Sequence, residues 1–302
     1  MFSRRPLADD LTEIRATHAP DSVVLDVESD FETLPPAAAE DLGFFVEELS
    51  PASYPDAWIP NDTPDLLRTY AGPTFTIGLP GDGTVVRTTQ TTPETILVKR
   101  RAEGTPDDFL AFLIADRLVR AGISTAPGVS ASDDVSAATI PETFLPFFGS
   151  MYVDLDEAIR RPAEEATSSS NEVGSGTGLG PATGLGSADV FQIAHALFEA
   201  WVGLHTRDVF SSWNDTHPRL FDAWMDAGER LEGRLHELPS EIARGQTEFA
   251  SATEYACSAV RHGLDLPTPF AALDTTAYRE RGAPYAVAWA EKTIASMIEA
   301  TE

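Results

Sequence analysis

Lysine is almost missing from this chain. Lys99 and Lys292 stand beside 19 arginines and 48 aspartates and glutamates, for a formal charge of -27 over 302 residues. Cysteine is rarer still. The single Cys257 excludes an internal disulfide and any cysteine-rich metal site. It lies in the apolar stretch Tyr255–Val260, where it reads as a buried, inert thiol. Long apolar runs are also lacking: none approaches the roughly 18 residues of a membrane span, so no membrane partner is expected. The arginine pair Arg4-Arg5 is followed by Pro6-Leu7-Ala8-Asp9-Asp10 and not by the apolar run of an export signal. The expected location is the cytoplasm.

What is abundant is negative charge. At low ionic strength a charge of -27 repels itself and weakens the compact state. At molar salt the Debye length falls to about 3 Å and that repulsion nearly vanishes. Acid excess with little lysine therefore reads as a coat suited to a salt-filled cytoplasm, such as that of a haloarchaeon. The other reading is an acidic surface for a basic partner. Such surfaces concentrate their charge, whereas Asp and Glu here run along the whole chain. Nucleic acid is not an expected partner, because phosphate neutralisation requires a basic footprint. A protein partner remains open.

The pattern before residue 166 is mixed. Leu7–Thr17 reads as a short helix, Ser22–Val27 as a strand and Pro36–Leu49 as a helix, followed by a proline-rich loop over 50–64. A three-stranded meander is expected next: Thr74–Leu79, the turn Pro80-Gly81-Asp82-Gly83, Thr84–Gln90 and Glu94–Arg100. Thr105 then caps a helix with Pro106 at its start and Asp107 and Asp108 in its first turn, and Gly122 is expected to end it. Ala138–Val153 reads as a further strand region and Asp154–Arg161 as a short helix.

Residues 166–187 are rich in serine and glycine and bury too little side chain to offset their backbone entropy. They read as a disordered linker. From Ser187 the pattern is helical, over Ser187–Thr206, Pro218–Leu238, Ser240–His262 and Pro284–Glu299. The expected fold class is α+β: a small antiparallel meander packed with helices in 1–165, the linker, and a bundle-like helical region in 188–302. The two halves can also share one core.

Few residues stand out for chemistry. Lys99-Arg100-Arg101 is the one dense basic run outside the N-terminus. It reads either as an anion site, with a helix start nearby at Thr105, or as a charge at a sheet edge that blocks aggregation or pairs with an acid. His195 and Glu199 are four apart on one helix and can meet. No histidine pair has metal-ligand spacing, so no metal and no cofactor are expected. Trp213, in Phe210-Ser211-Ser212-Trp213-Asn214-Asp215, lies between helices, either anchoring a ligand or partner or packing over the helix ends. His205 and Asp208 lie nearby, and His205 can also interact with a helix C-terminus.

Strand, glycine-containing turn, strand, Ile96-Leu97-Val98-Lys99 and helix together resemble the N-terminal lobe of aminoglycoside-phosphotransferase-like kinases. Ala121–Pro127 and Leu204-His205 add to the likeness, which covers roughly residues 74–150. It implies a lysine on nucleotide phosphates and a catalytic loop at His205-Thr206-Arg207-Asp208. Asn214 follows Asp208 by six residues, where the kinase pattern has five. The whole chain, and Tyr70–Arg101 most of all, also resembles an uncharacterised haloarchaeal family, which implies no chemistry. Two functional classes follow: a non-catalytic binding or interaction protein, or a divergent phosphotransferase using Lys99 for phosphate.

Overall fold

The computed structural model describes residues 2–27, 84–88, 95–125, 154–162 and 185–299. The expected helix Pro36–Leu49, the loop 50–64, the strand Thr74–Leu79 with its turn, the strand region Ala138–Val153 and nearly all of the 166–187 linker lie outside them. The fold is α+β, and the chain divides into two compact units. One comprises Met1–Phe148 with His205–Ala227, the other Gly149–Leu204 with Gly228–Glu302.

The first unit carries a four-stranded sheet, with β1 at Phe2–Arg4, β2 at Val23–Val27, β3 at Val85–Thr88 and β4 at Thr95–Val98, in the order β1-β2-β4-β3. β3 and β4 pair antiparallel, as expected of a meander, with Val85 opposite Val98. The sheet is mixed, however. The other side of β4 is taken by β2, in parallel, with Leu25 beside Leu97. β4 is thus interior, and it reads as a continuous apolar run because both of its faces are covered. β1, which the sequence pattern does not announce, adds antiparallel to β2.

Helices α1 (Asp9–His18) and α2 (Asp107–Thr125) pack on each other, and α2 lies against β3 and β4. Leu11 and Ile14 of α1 are buried with Leu110, Phe112, Ile114, Leu118 and Val119 of α2. Gly122 does not end α2, which continues to Thr125. A Cβ at Gly122 would overlap the carbonyl oxygen of His18, so this glycine serves the close approach of α1 rather than a cap. Arg219 ties the two helix starts together. Its Nη2 donates to Asp10 Oδ2 at 2.7 Å and its Nη1 to Asp108 Oδ1 at 3.2 Å.

The second unit is helical among the described residues. It holds a helix over 154–162 (α3), most of α4 (Ser187–Ser211), the end of α5 (Pro218–Leu235), α6 (Leu238–Ala243), α7 (Phe249–Val260), α8 (Thr276–Arg281) and α9 (Ala283–Glu299). The single helix expected over Ser240–His262 is two helices. Gly245, at φ +65°, breaks the chain between α6 and α7. Phe249, Phe270 and Trp289 stack in the core with centroids 6.1–6.2 Å apart. The polar tips of the buried aromatics reach backbone carbonyls. Tyr278 Oη donates to Leu197 O at 2.6 Å, Trp201 Nε1 to Arg279 O at 3.1 Å and Trp289 Nε1 to Pro269 O at 3.1 Å.

Candidate functional site

β4 delivers Lys99 one residue past its end. The backbone N–H of Lys99 still donates to Thr84 O at 2.9 Å, extending the ladder. The chain then turns through Arg100–Ala102, where Ala102 N–H bonds Lys99 O and Glu103 N–H bonds Arg100 O, both at 2.9 Å. Gly104, at φ +90°, completes the reversal that leads into α2.

This turn and the start of α2 wall a cavity of about 670 Å³, lined among others by Lys99, Arg100, Glu103, Thr105 and Asp107. Arg5, just past β1, and Asp26 of β2 also line it. The register sets Ser3 beside Asp26, and the following Arg5 reaches across to it with Nη1 2.6 Å from Asp26 Oδ1. The cavity volume is that of a small-molecule site.

Lys99 is only 2% exposed. It follows an interior strand, so the alternative of an exposed charge guarding a sheet edge does not hold. A buried ammonium is costly unless polar groups surround it, and this cavity supplies them. α2 buries two further charged side chains, Asp116 and Arg120, one turn apart. Arg100 is exposed and lines the cavity, and the side chain of Arg101 lies outside the described residues.

The structure does not bring the remaining candidates to this cavity. Trp213 is 3% exposed, in the turn Ser212–Asn214, with Phe210 at 5.0 Å and His217 edge-on at 6.0 Å. It packs in the first unit's core and has no face to offer a partner. His205 is half-buried on α4, and Asp208 is exposed with its carbonyl accepting from Ser211 Oγ. Asn214 and Asp215 are exposed beside each other, and none of these residues lines the cavity.

In the second unit, His195 Nε2 lies 3.7 Å from Glu199 Oε1, as the four-residue spacing predicts, and Glu199 also receives Arg261. Among the described residues no group of three His, Cys, Asp or Glu is placed to hold a metal ion. Cys257 is fully buried, and burial pushes its thiol far above the ordinary range, as befits an inert side chain. No helix of the described residues is long and apolar enough to cross a membrane.

Sequence reasoning missed Arg5 and Asp26. The available signal was a second basic pair, Arg4-Arg5, in a chain poor in cations, but the sequence does not say which strand it meets. No curated protein and no solved structure matches the chain. A family model described as a family of unknown function, DUF7089, matches residues 1–297, and the chain belongs to that family.

Proposed function

We propose that this is a non-catalytic binding protein whose first unit takes the anionic group of a small molecule in the cavity at the end of β4. The observation that carries the reading is Lys99: one of two lysines in the chain, 2% exposed, on the wall of a cavity of about 670 Å³ at the start of a 19-residue helix. Lysine and Arg100 provide the charge, and the helix start adds a favourable dipole. Glu103 and Asp107 on the same lining favour a ligand that also carries hydroxyl or amino donors.

The divergent phosphotransferase reading would route a metal through Asp208, Asn214 or Asp215. These are exposed and absent from the cavity lining, so the binding reading has the better support. The acid-rich composition supports adaptation to a salt-filled cytoplasm as the setting.

The test is calorimetric titration of the full chain with pyrophosphate in molar potassium chloride. The expected result is saturable binding that Lys99→Met, of similar volume, weakens by about tenfold or more. Equal affinity in the variant, or no binding by the wild type, overturns the reading.

A further inference from the structure

A second recess, of about 340 Å³, opens between the end of β1 and α1. Its lining is Arg4, Arg5, Pro6, Leu7, Thr12 and Arg15. In a chain with 48 acids and 21 bases, three charged side chains line this recess, and all three are arginines. Arg5 is matched by Asp26, their ion pair measuring 2.6 Å. The lining therefore carries two positive charges beyond that pair.

Arg15 supplies the second observation. Its Nε is buried and has no hydrogen-bond partner among the described residues. A buried donor left without an acceptor costs about 1–3 kcal/mol, more when charged. The same guanidinium belongs to a residue that lines the recess, so an oxyanion there satisfies Nε once the fork turns towards it. The guanidinium fork suits such a group, because it makes two parallel hydrogen bonds to neighbouring oxygens. Short charge-assisted bonds of this kind also persist in brine, where longer-range attraction is screened.

We propose that Arg4, Arg5, Thr12 and Arg15 form a binding site for a phosphate group, free or carried on a small molecule. A phosphate monoester carries about -1.5 to -2 at neutral pH, which balances the two uncompensated arginines better than a single carboxylate does. Thr12 supplies a hydroxyl that donates to a phosphate oxygen, while Pro6 and Leu7 give an apolar wall for the carrier. The site does not rest on the Lys99 reading, since the two cavities share only Arg5.

The experiment titrates inorganic phosphate into the full chain in molar potassium chloride and follows the Arg15 Nε–Hε resonance, assigned by its loss in Arg15→Lys. The expected result is a saturable shift. Arg4→Gln, at an exposed position, weakens it by about tenfold, and Lys99→Met leaves it unchanged. A resonance that does not move, or moves without saturating, overturns the proposal. So does an Arg4→Gln variant of unaltered affinity. A shift abolished by Lys99→Met would place the phosphate in the other cavity, overturning this site while sparing the proposed function. A sugar phosphate titrated in parallel distinguishes a carried phosphate from the free ion by its tighter binding.

Discussion

The two units bury polarity differently. The second hides the tips of Tyr278, Trp201 and Trp289 by aiming each at a backbone carbonyl, and ties its arginines into surface pairs such as Arg234–Glu241 at 2.7 Å. The first unit buries charged groups, namely Lys99, Asp116 and Arg120, and lines one recess with arginines and a larger one with charges of both signs. Neutral hydrogen bonds to carbonyls favour a unique packed core. Buried charge is seldom the most stabilising choice, so a fold that retains it is commonly retaining chemistry. The contrast locates the candidate sites in the sheet-bearing unit.

The largest test of this contrast lies in the second unit's aromatic stack. Phe249→Ala is expected to cost about 4 kcal/mol, because a fully buried ring between Phe270 and Trp289 leaves a cavity. Amide hydrogen exchange resolved along the chain should show α7 and α9 losing protection. A loss below 1 kcal/mol, within the range of exposed substitutions, would show that the stack is not a packed core.

Gly122→Ala comes next, at about 2–3 kcal/mol, since the new methyl meets the His18 carbonyl and forces α1 from α2. Denaturant unfolding measures it, and a neutral result would mean the helices do not approach as described. Tyr278→Phe should cost about 1 kcal/mol by losing the buried hydrogen bond to the Leu197 carbonyl, without altering phosphate titrations. Arg219→Ala, a partly exposed pair network, should cost about 1 kcal/mol or less, and less at molar salt than at low salt.

The smallest effect is with pH. Burial lowers the His18 imidazole below its ordinary value of 6.5. The unfolded chain therefore takes up the proton first as pH falls. Stability contributed by neutral His18 is present above 6.5, declines as pH drops towards the depressed native value, and falls no further below it. His18→Gln should flatten the stability profile in that window, measured by urea unfolding. A profile unchanged by the substitution would show that His18 is not desolvated.

Much of the local structure was legible. Acids at the starts of α1 and α2, β-branched and apolar residues along β3 and β4, and the i, i+4 meeting of His195 and Glu199 are short-range consequences of backbone geometry. Gly122 misled because a glycine near a helix end reads as a stop, and only the neighbouring helix reveals a close approach instead. Of the two readings of Trp213 the packed one holds: its polar neighbours mark a turn, and its ring enters a core shared with residues a hundred positions away.

The sequence by itself determined composition-level and local facts: an acidic chain with two lysines, no disulfide, and helices and strands near where their periodicities place them. Tertiary structure alone decided that β2 runs parallel beside β4, that His205–Ala227 joins the sheet-bearing unit, and that Arg5 and Asp26 share a cavity with Lys99. The reason is physical. Periodicity encodes which face of an element is apolar, whereas the partner of that face is fixed by shape and burial between segments distant in the chain.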